Sequence, residues 1–136
     1  MKQALFTGVG TAIVTPFKNG AVNFPAFGRL IDRQLAGGVH AIIVCGTTGE
    51  AATMTQKERL ETIQYCIDRV AGRIPVIAGA GANSTEVARE NAKAAERLGA
   101  DGLLMVTPYY NKATQQGLLR HYQAIADSVS TPMILY

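Results

Sequence analysis

Apolar residues occur in five short runs that alternate with longer amphipathic segments along this chain. The runs are continuous in apolar character, which is typical of strands buried on both faces of a parallel sheet. They predict strands over residues 9–14, 41–45, 74–78, 103–107 and 132–136. Between the runs, apolar positions recur at helical spacing, which predicts helices over residues 25–36, 56–71, 84–98 and 114–128.

The ends of these helices carry recognisable sequence signals. A capping-box pattern occurs at residues 55–58 and again at residues 83–86, where Asn83 is the expected cap. Pro25 lies near the start of the first helix, where its missing N–H leaves no hydrogen bond unmade. Glycines follow the helices, as helix C-termini prefer, at Gly37, Gly38, Gly72 and Gly99.

The strand–helix alternation repeats at an interval of about 30 residues, the length of one βα unit. It predicts an α/β fold of the (β/α)8 TIM-barrel class, with this chain covering about four βα units plus strand five. A doubly wound open sheet is the alternative, because five strands also suffice for that fold. The last predicted strand runs to Tyr136, so we expect residues 1–136 to be the N-terminal part of one barrel domain in a longer protein.

Composition and charge exclude several classes of protein. Hydrophobic residues make up 48% of the 136 positions and charged residues 17%, which suits a globular protein. The net charge of +3 is scattered, so we expect no nucleic-acid partner. There is no apolar stretch of membrane-spanning length and no signal-peptide pattern, which predicts a cytoplasmic protein without a membrane partner. Cys45 and Cys66 lack metal-ligand spacing, so we expect buried reduced thiols and no metal.

Hydroxyl groups and glycines recur where the predicted strands end. In both architectures ligands bind at this edge of the sheet. The most informative stretch is Gly46-Thr47-Thr48-Gly49-Glu50, which follows a buried strand directly. Its glycines allow close backbone approach and its threonines add donors, so it predicts a cradle for a small anion such as a carboxylate or phosphate. The other strand ends are residues 15–17, 79–83, 107–111 and Tyr136.

Hydroxyl groups at this edge could relay protons, but a tyrosine with an ordinary pKa of about 10 is a poor base by itself. A relay of this kind commonly serves a reactive centre that another group creates, such as a lysine Schiff base. A buried strand lysine, whose pKa burial would lower, is what such a centre requires. None of the lysines lies in a predicted apolar strand: Lys2, Lys18, Lys57, Lys93 and Lys112. We therefore expect no Schiff-base lysine within this chain.

Four motifs, taken together, resemble the dihydrodipicolinate synthase family of the pyruvate-dependent aldolase superfamily. They are Gly-Thr-Thr-Gly-Glu at 46–50, Gly-Ala-Gly-Ala-Asn at 79–83, Val-Thr-Pro-Tyr-Tyr-Asn at 106–111 and Ile-Leu-Tyr at 134–136. The resemblance covers nearly the whole chain, in order. N-acetylneuraminate lyase, in the same superfamily, typically has serine at the position of Thr47, so this threonine and the Tyr-Tyr-Asn stretch favour the synthase.

The resemblance implies a barrel enzyme without a cofactor that condenses pyruvate with L-aspartate 4-semialdehyde in lysine and diaminopimelate biosynthesis. Thr48 and its neighbouring amides would hold the pyruvate carboxylate, together with Thr47. Thr47 would also link Tyr136 to Tyr110 in a proton relay, and Tyr110 would reach into the site of a partner subunit. The family's Schiff-base lysine, on the sixth barrel strand, lies beyond position 136, as does an arginine that binds the semialdehyde. The isolated chain is therefore expected to be inactive.

The resemblance also implies a homotetramer built as a dimer of dimers, with a lysine effector site at the dimer interface. Asn83 and Tyr109 match that site. The acidic position four residues after Asn83 is Val87 here, and a histidine position is Gln56. These two departures speak against feedback inhibition by lysine.

Two other functions remain open at this point. A related pyruvate lyase could act on N-acetylneuraminate or 2-keto-3-deoxygluconate through the same cradle. Alternatively, the chain could be a non-enzymatic half-barrel module, since a strand exposed at residues 132–136 could pair with a second half.

Overall fold

A sheet of five parallel strands, packed against four helices, forms the core of the structure. The computed structural model describes residues 4–136. The strands are β1 (Gly10–Ala12), β2 (Phe17–Lys18), β3 (Ala21–Val22), β4 (Ala41–Val44), β5 (Val76–Gly79), β6 (Gly102–Met105) and β7 (Met133–Leu135). The helices are α1 (Phe24–Ala36), α2 (Gln56–Val70), α3 (Thr85–Arg97) and α4 (Gln115–Ala126). All the predicted strands and helices are present, although each of the five predicted strands is shorter than expected.

The order of the strands distinguishes the two predicted architectures. The sheet runs β1-β4-β5-β6-β7, and every neighbouring pair is parallel. Successive helices along the chain pack against each other, α1 with α2, α2 with α3 and α3 with α4. A doubly wound sheet reverses its strand order at a switch point, and this sheet does not. The fold is therefore a partial (β/α)8 barrel, and the predicted fold class is confirmed.

Burial is deepest in the three central strands, as their continuous apolar runs predicted. Nearly every residue of β4, β5 and β6 is buried, whereas the outer strands β1 and β7 are partly exposed. The helices contribute fully buried side chains to the same core, namely Phe27, Ile31, Ile63, Cys66, Val70 and Ile125. Each large apolar side chain of this kind stabilises the fold by roughly 1.5–3 kcal/mol. The core thereby fixes where the central strands end.

A short hairpin formed by β2 and β3 follows β1, and the apolar pattern did not predict it. Phe17 pairs with Val22 and Lys18 with Ala21, which leaves a two-residue turn of Asn19 and Gly20. Both turn residues have positive φ, 53° and 77°. An Asn-Gly pair is the preferred sequence for such a turn, so the signal was present in the sequence. The hairpin lies at the carboxyl end of β1, on the side of the sheet where ligands bind in this fold class.

The helix starts confirm one capping box and correct the other. At α2 the Thr55 hydroxyl accepts from the Glu58 N–H at 3.2 Å, and the Glu58 carboxylate accepts from the Thr55 N–H at 2.8 Å. At α3 the cap is Ser84, whose hydroxyl accepts from the Val87 N–H. The expected cap at Asn83 was wrong by one residue. Ser84 has the extended backbone that a cap requires, and the residue three positions later is Val87, which cannot complete a box.

Replacing Thr55 with alanine should lower the free energy of unfolding by about 1 kcal/mol, because α2 loses its capping hydroxyl. Urea denaturation followed by circular dichroism measures the change. Thr53→Ala is the matched control, since the exposed Thr53 hydroxyl donates to the Glu50 carbonyl and caps no α-helix. We expect this control to change stability by less than about 0.5 kcal/mol. Equal losses for both variants would contradict the capping role.

Both cysteines should be unreactive in the folded chain. Cys45 and Cys66 are buried free thiols, and burial raises the pKa of each to about 12. At pH 8 only about one thiol in ten thousand is then ionised, and the thiolate is the reactive form. We expect iodoacetamide to label neither residue in native protein and both in guanidinium, as read by intact mass. Rapid labelling of either residue in native protein would show that its burial is wrong.

Candidate active site

The carboxyl ends of the five parallel strands bring the predicted site residues to one edge of the sheet, here called the rim. This edge comprises the segments that directly follow β1, β4, β5, β6 and β7. A parallel sheet places all of these ends on the same side, so segments distant in sequence become neighbours. The rim segments are residues 13–16, 45–50, 80–83, 106–111 and Tyr136.

The Gly46–Glu50 stretch folds into two overlapping turns at the end of β4. The Gly49 N–H donates to the Gly46 carbonyl, and the Glu50 N–H to the Thr47 carbonyl, both at 3.0 Å. The threonine side chains are exposed, while Gly46 and Gly49 are buried beneath them. Among the described residues, none accepts a hydrogen bond from the backbone N–H of Thr47 or Thr48. Two exposed threonine side chains and two backbone N–H groups without an acceptor in this part of the chain thus lie together in sequence at the end of β4, and their binding of a small anion stays a prediction.

Left-handed backbone on either side gives this turn its shape. Cys45 and Glu50 have φ values of 54° and 60°, which are uncommon for residues with a side chain. Glycine is favoured at position 49 between them, because a Cβ atom there would lie in a tight contact 3.1 Å from the backbone nitrogen of Cys45. Strained backbone of this kind is concentrated at ligand sites, where surrounding packing holds it in place. We call the turn at Gly46–Glu50 the cradle, and its role as a binding site stays a prediction.

Thr15 fixes the cradle from the neighbouring strand end. Its side chain is buried, and its hydroxyl donates to the Gly49 carbonyl at 2.8 Å. The sequence placed Thr15 at a strand end but gave it no role. The adjacency of β1 and β4 in a barrel, with Thr15 and Gly49 both following their strands, is the signal that could have found it.

Arg59 is a second residue at the rim that the sequence analysis did not single out. Its guanidinium Nη2 donates to the Gly79 carbonyl at 2.7 Å, and its own carbonyl lies 3.8 Å from the Cys45 sulfur. Burial lowers the pKa of Arg59, and the neighbouring Tyr109 acts in the opposite direction. Because α2 starts at Gln56, Arg59 lies in its first turn and reaches back to the rim. It ties together the ends of β4 and β5.

The loop after β6 carries Tyr109 and Tyr110. Tyr110 is 96% exposed and has a positive φ of 72°, whereas Tyr109 is about half exposed. The Asn111 amide donates to the Asn83 carbonyl at 2.8 Å, which joins this loop to the one after β5. Asn83 and Tyr109, the residues matched to an effector site, thus lie on two connected loops. An open cavity of about 770 Å3 adjoins Tyr110, lined also by Thr107, Pro108, Lys112, Ala113 and Leu118.

Tyr136 completes the rim beside the end of β6. Its N–H donates to the Met105 carbonyl at 3.0 Å, and its carbonyl accepts from the Thr107 N–H at 2.9 Å. The residue as a whole is 64% exposed. Within residues 4–136 no hydrogen bond joins the hydroxyls of Thr47, Tyr110 and Tyr136. The structure places the three residues on one rim but does not connect them into a relay.

None of the lysines among the described residues is buried. Lys18, Lys57 and Lys112 are exposed, and the partly buried Lys93 pairs with Glu90 on α3. Lys2 falls outside the described residues. A Schiff-base lysine requires a desolvated amine that is uncharged at neutral pH. Within the described residues, none of the lysine side chains is buried at the rim.

The fold and the rim define the class of protein: a partial (β/α)8 barrel with a turn rich in glycine and threonine at the end of its second barrel strand, the edge where ligands bind in this fold class. Within residues 4–136, none of the helices is long and apolar enough to cross a membrane. The model of the dihydrodipicolinate synthetase family matches residues 5–136. The chain belongs to this family.

Individual relatives share this similarity over nearly the whole chain. The 4-hydroxy-tetrahydrodipicolinate synthase of Clostridium novyi is 54% identical over 134 residues, which are 98% of this chain and 45% of the relative. The synthase of Caldicellulosiruptor bescii is 57% identical over 135 residues, which are 98% of this chain and 46% of the relative. The chain therefore spans about half the length of the curated relatives it matches.

Solved structures match equally well. The dihydrodipicolinate synthase of Thermotoga maritima superposes with a TM-score of 0.96 at 50% identity, covering 98% of this chain and 45% of that one. The enzyme of Acinetobacter baumannii, solved in complex with pyruvate, gives a TM-score of 0.93 at 49% identity, covering 95% of this chain and 45% of that one. The partial barrel therefore has the same fold as the matching half of these enzymes.

Proposed function

We propose that this chain forms the N-terminal half of a 4-hydroxy-tetrahydrodipicolinate synthase, which condenses pyruvate with L-aspartate 4-semialdehyde in lysine and diaminopimelate biosynthesis. The observation that carries the proposal is the Gly46–Glu50 cradle, in which the threonine side chains are exposed and two backbone N–H groups have no acceptor within residues 4–136. The chain is also 54% identical over 134 residues to a protein named 4-hydroxy-tetrahydrodipicolinate synthase. The relatives' shared name supports the synthase over the sugar-acid lyases. The proposal extends to a cytoplasmic enzyme.

In this proposal Thr48 and the adjacent amides bind the carboxylate of pyruvate. A lysine outside residues 1–136 would add to the keto carbon with loss of water, which forms the Schiff base. The resulting imine is an electron sink, so a proton can leave the neighbouring methyl carbon and the enamine can attack the aldehyde. The chemistry requires no cofactor.

Proton transfer in this reaction falls to Thr47, Tyr136 and Tyr110. Tyr136 is anchored through its backbone hydrogen bonds to the end of β6, and Thr47 lies within the cradle on the same rim with its side chain exposed. Tyr110 projects away from its own chain, at 96% exposure, which supports its entry into the site of a second subunit. A relay closed across a subunit interface would explain why the Tyr110 hydroxyl is not joined to Thr47 within one chain. We therefore propose that the whole protein is an oligomer, a dimer of dimers.

The effector site is the part of the resemblance with least support. Asn83 and Tyr109 lie on connected loops, but Val87 is half exposed on α3 where the family pattern has an acid. Gln56 stands at the start of α2 in place of a histidine. An apolar side chain cannot pair with the ammonium group of lysine. We propose that lysine does not inhibit this protein at physiological concentrations.

A chimera tests the proposed function. Residues 1–136 replace the matching first 45% of the Clostridium novyi relative, and condensation of pyruvate with aspartate semialdehyde is measured. We expect turnover within about tenfold of the parent, a difference of about 1.4 kcal/mol in barrier. The Thr47→Val/Thr48→Val chimera is the inactive control. A folded chimera that instead cleaves N-acetylneuraminate or 2-keto-3-deoxygluconate would overturn the proposal.

A further inference from the structure

Glu96, at the end of α3, accepts four hydrogen bonds on a single carboxylate oxygen. The N–H groups of Ser130 and Thr131 donate to Oε1 at 2.7 and 2.9 Å. The hydroxyls of the same two residues donate to it at 2.9 and 3.0 Å. The backbone N–H of Ser130 is the main cause of a lowered pKa of Glu96, so the group is charged at neutral pH. We call this arrangement the Glu96 clasp.

The clasp fixes the point at which β7 begins. Pro132 follows Thr131 directly, and its carbonyl accepts from the Leu103 N–H of β6 at 2.9 Å. From there the strand pairs in register with β6, Met133 opposite Leu103 and Leu135 opposite Met105. Tyr136 is the next residue. Residues 132–136, about 17 Å of extended chain, therefore lead from the clasp to the side chain of Tyr136 at the rim.

Within the described residues, strand β7 is held in register by β6 and by the clasp at its start. It is three residues long and pairs there only with β6. Met133 and Ile134 are partly buried, Met133 packs against the core, and Leu135 is 58% exposed. Register is less strongly specified in a strand this short with no fully buried side chain, and a slip of one residue turns every side chain to the opposite face. Such a slip would take Tyr136 away from the cradle.

We infer that Glu96 is a positioning residue for Tyr136. By holding Ser130 and Thr131, Glu96 sets the register of β7 from the end of the strand opposite Tyr136. The clasp acts through the backbone of residues 130–136 and does not touch the rim. The contribution of this register to catalysis rests on the role proposed above for Tyr136.

Amide hydrogen exchange on the 136-residue chain tests the register directly. In Glu96→Ala we expect the protection of the Tyr136 amide, which donates to Met105, to fall by at least about tenfold. The amides of α3 and β5 should keep their protection. Glu96→Gln should restore part of it, because the amide oxygen still accepts hydrogen bonds. Glu90→Ala, which removes an exposed carboxylate from the same helix, should have no effect on β7.

Two outcomes of the exchange experiment would overturn the inference. One is unchanged protection of Tyr136 in both Glu96 variants. The other is an equal loss of protection in β5, α3 and β7, since that would mean that Glu96 merely stabilises the whole fold.

The chimera supplies a readout of catalysis. Glu96→Ala should lower kcat by about tenfold or more, because small misplacements of a reacting group are costly. The KM for pyruvate should stay within about twofold, since the cradle lies on a different strand end. An unchanged kcat alongside lost β7 protection would overturn the catalytic part. If the unmutated chimera does not turn over, the proposed function fails, and hydrogen exchange alone decides the role of Glu96.

Discussion

Replacing Gly79 with alanine should destabilise this protein more than any other single change at the rim. A Cβ atom on Gly79 would lie 2.0 Å from the carbonyl oxygen of Cys45, which is backbone and cannot turn aside as a side chain could. The two residues end adjacent strands, and the left-handed conformation of Cys45 follows β4 directly. We expect the free energy of unfolding to fall by about 3–5 kcal/mol in urea denaturation, the upper range for overpacking.

Gly46→Ala is the matched control for this prediction. A Cβ atom on Gly46 would lie 3.7 Å from the side chains of Ile43 and Leu104, an ordinary van der Waals distance. We expect a loss of less than about 1 kcal/mol. Gly79→Ala should also displace the Cys45–Gly46 peptide and with it the cradle. Similar stabilities for the two variants would show that β4 and β5 are not as close at the rim as described.

Tyr136→Phe should have the largest effect on catalysis at the smallest cost in stability. The backbone of Tyr136 makes two hydrogen bonds to the β6 end, and neither involves the hydroxyl that the substitution removes. Phenylalanine keeps the same ring, so the packing of the side chain is unaffected. Loss of a proton-transferring group commonly costs about 10²–10⁴-fold in rate. In the chimera we expect kcat to fall by that factor while the KM for pyruvate changes little, since the cradle is intact.

A second tyrosine provides the control for this substitution. Tyr65 packs against the rings of Phe24 and Phe27 between α1 and α2, away from the rim. Tyr65→Phe should leave kcat within about twofold of the unsubstituted chimera. A Tyr136→Phe chimera with unchanged kcat would remove Tyr136 from the proposed mechanism.

The sequence was informative wherever local chemistry decides the structure. Apolar spacing located the four helices, and the Thr55 capping box located the start of α2 because both of its partners lie within one turn. The Asn19-Gly20 turn was equally local, but strands of two residues are too short to give an apolar pattern. Asn83 was taken for the cap of α3 because Glu86, three residues later, completes a capping-box pattern that Ser84 and Val87 do not. Only the backbone conformation at Ser84 shows which of Asn83 and Ser84 is the cap.

The contacts that shape the rim depend on residues far apart in sequence. Cys45 meets Gly79 and Glu96 meets Ser130 only because the register of neighbouring strands and helices brings them together. A single sequence contains no record of that register. The roles of Thr15 and Arg59 went unpredicted for the same reason. The relay among Thr47, Tyr110 and Tyr136 remains a prediction, because its closure requires groups outside this chain.

The most direct test of the central claim is to trap the chimera with pyruvate and borohydride and map the adduct by peptide mass spectrometry. The claim is that residues 1–136 hold the carboxylate and transfer protons, while the amine comes from the other half of the barrel. We predict a single pyruvyl adduct on a lysine of the Clostridium novyi half, which disappears in the Thr47→Val/Thr48→Val variant. An adduct on a lysine of residues 1–136, or undiminished trapping in that variant, would contradict the account.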